Sequence, residues 1–159
     1  MKKIAIVTLS DFNNYGNRLQ NYALERIITS QGYDVVSLVD FRPNLLKNSV
    51  KTIIKKDGIK FTDKMKKIRR LKKFLDFDKK YVNTFPVNAG EFNSISDDEY
   101  HCFIVGSDQV WNPDWAKYTY DRMFLRFCSP TKRISYAASF GVDKIPEKWV
   151  DKYKAGLID

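Results

Sequence analysis

The first apolar run of the chain extends from Lys3 to Leu9 and is continuous rather than alternating. A continuous β-branched and aliphatic run of this length predicts a strand buried on both faces of a parallel sheet. Residues 11–17 are polar and turn-rich, with three Asn and one Gly. Helical periodicity follows, placing Leu19, Tyr22, Ala23 and Ile27 on one face. Gly32 stands where a left-handed cap would end that helix. Asp34 to Val39 reads as a second strand, so the first forty or so residues form a βαβ unit with a right-handed crossover.

The pattern is looser beyond Asp40-Phe41-Arg42-Pro43, where Pro43 fits a turn or a first helical position. Phe61, Met65, Ile68, Leu71 and Leu75 recur at three and four residues, predicting an amphipathic helix with a Lys/Arg outer face. Phe85 to Tyr100 carries Pro, Gly, Asn and Ser and reads as a surface loop. Cys102 to Val105 is a third buried strand, broken by Gly106-Ser107-Asp108. Asn112-Pro113 marks a turn, Phe124 to Phe127 fits a short strand, and Arg133 to Ala138 a fourth core strand. Ser139-Phe140-Gly141 ends it, and Pro146 opens a last helix with Trp149, Tyr153 and Leu157 on one face. The expected class is α/β, a Rossmann-like open, mostly parallel sheet flanked by helices. A further strand is expected after the last helix. Residues 1–159 are therefore expected to be one truncated N-terminal domain, with a basic helical insertion at about 44–80.

Composition adds one qualification to this picture. The net charge of +9 suggests a polyanionic partner, but residues 47–80 hold 14 of the 28 Lys and Arg and only four of the 19 acids, a local +10 that leaves −1 for the remainder. The bland reading is a solvated helix face; the sharper one is attraction to an anionic polymer or membrane surface. No specific nucleic-acid partner is expected. An apolar content of 43% argues against disorder. No run approaches the roughly 18 apolar residues of a membrane span. The apolar stretch after Met1-Lys2-Lys3 is short for a signal peptide, so a cytoplasmic protein is expected, with the inner membrane face as an extension of that reading. Two cysteines without a CxxC, and a single histidine, His101, predict reduced buried thiols and no metal site.

In open α/β sheets, ligands lie outside the carboxyl ends of the strands, near helix N-termini. Three loops leave predicted strands there. In the first, Gly16 permits a tight turn and Asn17 suits a helix cap. Asn13, Asn14 and Gln20 offer neutral donors and acceptors to a hydroxyl-rich ligand, and Arg18 a charge for phosphate. The segment is not GxGxxG, which argues against a dinucleotide site. In the second loop, Asp108 suits a general base or a turn cap equally, and Trp111 an apolar wall. A Ser107 nucleophile lacks both GxSxG and a downstream histidine. Ser139 and Gly141 belong to the third loop.

The blocks Asn13-Asn14-Tyr15-Gly16 with Leu19-Gln20 and Tyr22-Ala23-Leu24, then Ile104-Val105-Gly106-Ser107-Asp108-Gln109-Val110-Trp111-Asn112, then Tyr136-Ala137-Ala138-Ser139-Phe140-Gly141, resemble the polysaccharide pyruvyl transferase family. The middle block is the most specific. The resemblance covers nearly the whole chain and matches the family's N-terminal half. It implies a two-domain architecture of the glycosyltransferase-B type, with phosphoenolpyruvate as donor substrate and no bound cofactor. The acceptor would be a sugar hydroxyl of a glycan or lipid-linked sugar, and the donor-binding basic residues would lie in a C-terminal half. Asn14, Gly16, Gln20, Gly106, Ser107, Asp108, Gln109, Trp111 and Asn112 would then line the acceptor side, with Ser139 and Gly141 behind them. On that reading this chain alone is inactive. The alternatives are a sugar-nucleotide glycosyltransferase of the same architecture and a non-enzymatic basic module binding anionic glycan or nucleic acid. The oligomeric state is left open.

Overall fold

A computed structural model describes residues 1–9, 14–40, 45–88 and 90–158, without the side chains of residues 45, 46 and 116–118. Its elements are β1 (Lys3–Val7), α1 (Tyr15–Ser30), β2 (Asp34–Asp40), α2 (Leu45–Lys55), α3 (Phe61–Tyr81), β3 (Thr84–Val87), β4 (Cys102–Gly106), α4 (Ala116–Met123), β5 (Arg133–Tyr136) and α5 (Glu147–Ile158). The five strands form one parallel sheet in the order β3-β2-β1-β4-β5, the Rossmann-like α/β arrangement. The order reverses beside β1, where Ile4 pairs with Val35 of β2 on one side and Cys102 of β4 on the other.

Both faces of the central strands are buried. Ile4, Ile6, Val35, Cys102 and Ile104 pack under α1 through Leu24 and Ile28. Ala5, Val7, Val36, Leu38, Phe103 and Val105 meet Val110, Met123, Leu125 and Phe92 on the opposite face. The predicted continuous runs of β1 and β4 follow from this double burial. Gly32 adopts φ 85°, and its N–H donates to the Thr29 carbonyl, giving the expected left-handed end to α1.

The structure corrects five expectations. The buried face of α1 is not Leu19, Tyr22, Ala23 and Ile27. It is Asn17, Arg18, Asn21, Leu24, Glu25 and Ile28, while Leu19 and Ile27 are 55% and 58% exposed. The helix turns its polar stripe inward because partners wait there. Ser37 Oγ, itself fully buried, donates to Asn21 and Glu25. Glu25 also accepts from the Asn83 backbone at 2.9 Å, and Arg18 pairs with Asp78 of α3 at 3.2 Å. Satisfied polar groups tolerate burial that lone ones do not. Burial pushes the Glu25 carboxyl above its ordinary range, opposed by the Asn83 amide and the Ser37 hydroxyl.

The stretch read as a loop from Phe85 contains β3, an edge strand that tolerates Pro86 because its N–H side needs no partner. Phe124 to Phe127 forms turns after α4 rather than a strand, with Leu125 at φ 54°. The fourth strand, β5, is an edge strand too, and its Ile134 and Tyr136 are about half exposed rather than core. In α3 the predicted stripe is buried at Leu71 alone. Ile68 and Leu75 are half-buried, and Phe61 and Met65 stand out. Cys102 and Cys128 are buried free thiols, and burial raises both above the usual thiol value. No helix among the described residues is long and apolar enough to cross a membrane.

Candidate functional site

The crevice where the strand order reverses lies between the carboxyl ends of β1 and β4. Three loops meet there. Asn14 caps α1, its side-chain oxygen accepting from the Asn17 N–H at 3.1 Å. Asn17 is therefore not the cap expected of it. It sits within the first turn, and its side-chain amide reaches across the crevice to donate to Asp108 Oδ2 at 2.7 Å. The other carboxylate oxygen of Asp108 accepts from the Gln109 N–H at 2.7 Å. A carboxylate offers about four lone-pair directions. Asp108, half-buried, keeps acceptor capacity for a further donor, such as a hydroxyl.

Backbone geometry explains why these loops have this sequence. Gly106 has φ 128°, and a Cβ there would lie well inside 3.0 Å of the Tyr136 carbonyl oxygen on β5. Only glycine lets the β4 end approach its neighbour so closely. Ser107 follows at φ 61° and donates its N–H to that same carbonyl at 2.7 Å. The third loop is laced to the second: the Ser139 N–H donates to the Asp108 carbonyl at 3.0 Å, and the Trp111 N–H to the Ser139 carbonyl at 3.1 Å. Gly141, at φ 64°, lies against the Gln109 side chain in a space that a Cβ would fill. Asn112 Nδ2 donates to Gln109 Oε1 at 3.3 Å, and its own oxygen accepts from the Asp114 N–H, closing the Asn112-Pro113 turn.

The chain belongs to the polysaccharide pyruvyl transferase family. The family's model, described as polysaccharide pyruvyl transferase, matches residues 14–154 and so takes in the second and third loops and the first from Asn14 onward. Membership makes the protein one of a transferase family. Neither the comparison with curated proteins nor that with solved structures gave a match.

Within this member of the family the predicted residues divide. Asn14, Asn17, Gly106, Ser107, Asp108, Gln109, Asn112, Ser139 and Gly141 come together around the crevice. Gln20 lies alongside, donating from Nε2 to the Thr8 hydroxyl at the end of β1. Arg18 is a correction: it is buried and salt-bridged to Asp78 on the β2 side of α1, away from Asp108, so it offers no phosphate contact in the crevice. Burial raises the Asp78 carboxyl against the pull of Arg18. Tyr15 leaves the crevice as well, packing on Phe74 at 4.5 Å. Gly16 adjoins the Asn14 side chain as part of the capped turn. Trp111 is packed between aromatic rings, Phe124 and Phe140. Its indole stacks on Phe124 at 5.3 Å and donates Nε1–H to the Met123 carbonyl, which anchors the second loop to α4. Asn13 falls outside the described residues.

Two contributors escaped the sequence reading. Thr8 ends the β1 run and looked like part of it. Tyr153 of α5 donates its hydroxyl to the Trp111 carbonyl at 2.8 Å, and burial pushes that hydroxyl up to about 12. Neither has a local signal, because each is defined by a partner far away in sequence. His101 is exposed and stacked on Tyr33 at the opposite edge, remote from the site. Among the described residues no three His, Cys, Asp or Glu are grouped to hold a metal ion.

Proposed function

We propose that this chain is the acceptor-side domain of an enzyme transferring a pyruvyl group from phosphoenolpyruvate to sugar hydroxyls of a glycan precursor, with Asp108 as the base. One observation carries the reading: the Asp108 carboxylate lies at the first turn of α1, held by Asn17. In nucleotide-binding relatives of this fold, that helix N-terminus receives a phosphate. Here an anion of the protein's own stands beside it, which disfavours phosphate and favours hydroxyl donors. The same charge argues against the sugar-nucleotide reading.

The donor is then held by groups outside this crevice. We assign them to a carboxy-terminal domain completing a glycosyltransferase-B-like cleft, because the groups bonded to Asp108 are neutral and Arg18 is committed to Asp78. In the reaction, the methylene carbon of phosphoenolpyruvate gains a proton and C2 becomes cationic. One sugar hydroxyl attacks C2, losing its proton to Asp108. The C2–O bond to phosphate then breaks, a second hydroxyl adds to the resulting oxocarbenium carbon and passes its proton to the departing phosphate, and the ketal and inorganic phosphate are formed. A cytoplasmic setting suits the two buried free thiols.

The test uses the full-length protein, a hydroxyl-bearing glycan acceptor and phosphate release from phosphoenolpyruvate. Asp108→Asn should lower kcat at least about a hundredfold, the usual scale for a general base, and leave the KM for phosphoenolpyruvate within about twofold. Residues 1–159 alone should release no phosphate. Undiminished turnover in the Asn variant sinks the assignment of Asp108, and phosphate release by residues 1–159 sinks the two-domain reading.

A further inference from the structure

The α2–α3 hairpin is unused by the site and holds most of the molecule's excess charge. Its position follows from the contacts of α1, which starts at the carboxyl edge of the sheet. Tyr15, the first residue of α1, packs on Phe74, while Tyr22 meets Phe77 and Tyr81. The two helices thus run side by side in the same direction. Thirteen residues of α3, from Phe61 on, precede the contact with Tyr15. At 1.5 Å per residue they project about 20 Å beyond the start of α1. Their main support is α2, which packs on α3 around a cavity of about 560 Å³ lined by Ile53, Ile59 and Leu71 among others. The hairpin therefore stands out from the same sheet edge as Asp108.

Its outer surface is basic and apolar together. Phe61 is 75% exposed, Ile54 55% and Met65 47%. Arg69 and Lys72 fall at helical spacing on the stripe of Phe61 and Met65, and both are exposed. A solvated helix face would carry the lysines without the phenylalanine. Nucleic acid would use the lysines, and its phosphate backbone gives isolated aliphatic tips little to bind. Cations flanking exposed apolar side chains at the tip of a projecting hairpin match an anionic lipid surface, where the charges meet headgroups and the apolar tips enter the interface.

We propose that the α2–α3 hairpin docks this protein on anionic membranes and so presents the Asp108 edge to the bilayer. The inference stands independently of the transferase chemistry.

The experiment measures co-sedimentation of the 159-residue chain with phosphatidylcholine vesicles, with and without about 30% phosphatidylserine. Binding should require the anionic lipid and weaken between about 0.1 M and about 0.5 M salt as screening shortens. Arg69→Gln, Lys72→Gln and Lys73→Gln combined should weaken it about a hundredfold, at roughly fivefold per cation. Phe61→Ser should weaken it about tenfold with the salt dependence unchanged. All four positions are exposed, and matching circular dichroism melts will show that the variants fold. No affinity for anionic vesicles overturns the proposal. So does indifference to Phe61→Ser, and so does tighter binding to a random-sequence DNA duplex than to the anionic vesicles.

Discussion

Gly106 and Gly32 both hold positive φ, at 128° and 85°, but differ in what surrounds them. A Cβ at Gly32 meets nothing within 4 Å, whereas one at Gly106 collides with the Tyr136 carbonyl and crowds the Ala138 N–H at 3.1 Å. Gly32→Ala should therefore cost only the conformational strain, about 1 kcal/mol. Gly106→Ala adds steric overlap between two backbones that cannot rotate away, worth a further 1–3 kcal/mol or so, for a total of about 3 kcal/mol. For a domain of this size each kcal/mol moves Tm by roughly 2–4 °C. The expected losses are about 3 °C for Gly32→Ala and about 9 °C for Gly106→Ala, read by circular dichroism melting. Relief of the clash would part β4 from β5, so Gly106→Ala should also disorder the second and third loops, visible as lost amide-exchange protection at Ser107 and Ser139. Equal destabilisation by the two substitutions would refute the argument that Gly106 is set by proximity.

Asn17→Ala should destabilise the chain by about 1 kcal/mol, since water can replace the amide at half-buried Asp108, and a double-mutant cycle with Asp108→Ala should show comparable coupling in urea melts. Additive losses would mean the contact is incidental. Glu25 carries its raised pKa into a pH dependence: the folded state holds the proton more tightly than the unfolded chain. Its stabilising contribution is complete below the ordinary value of 4.5 and is lost as pH rises through the raised folded value. Glu25→Gln, which keeps an acceptor for the Asn83 N–H, should flatten that part of the stability–pH profile; a profile identical to that of the unsubstituted chain would count against it. Asp40→Asn should cost about 2 kcal/mol by leaving half-buried Arg122, already lowered to about 10 by desolvation, with a neutral partner. An unchanged urea midpoint would contradict this.

Sequence pattern revealed β1, β2 and β4 because double burial forces a continuous apolar run. It hid β3 and took β5 for a core strand, because edge strands are short, and Pro86 or half-exposed residues such as Ile134 are allowed there. The three loops were legible from Gly106, Gly141 and the clustered amides, all of which reflect local backbone demands. The turn of α1 was not. Leu19 and Ile27 imitate a core stripe, and only the distant Ser37, Asp78 and Asn83 make the polar stripe the buried one. For the same reason Arg18 read as a phosphate ligand, when its partner is Asp78, and the packing of Trp111 on Phe124 was not legible.

The inward polar stripe of α1 bears on how the crevice meets its ligand. An apolar helix face slides at little cost, but rotating α1 by one residue would strand Asn21, Glu25 and Ser37 together. The helix accordingly has a single seating, which fixes Asn17, and through it Asp108, before anything binds. The entropy of ordering these side chains is spent during folding rather than at encounter. On the proposed acceptor-side role, a ligand would meet a site that resembles a cut key slot more than a closing hand, with discrimination falling to the fixed spacing of its hydroxyls.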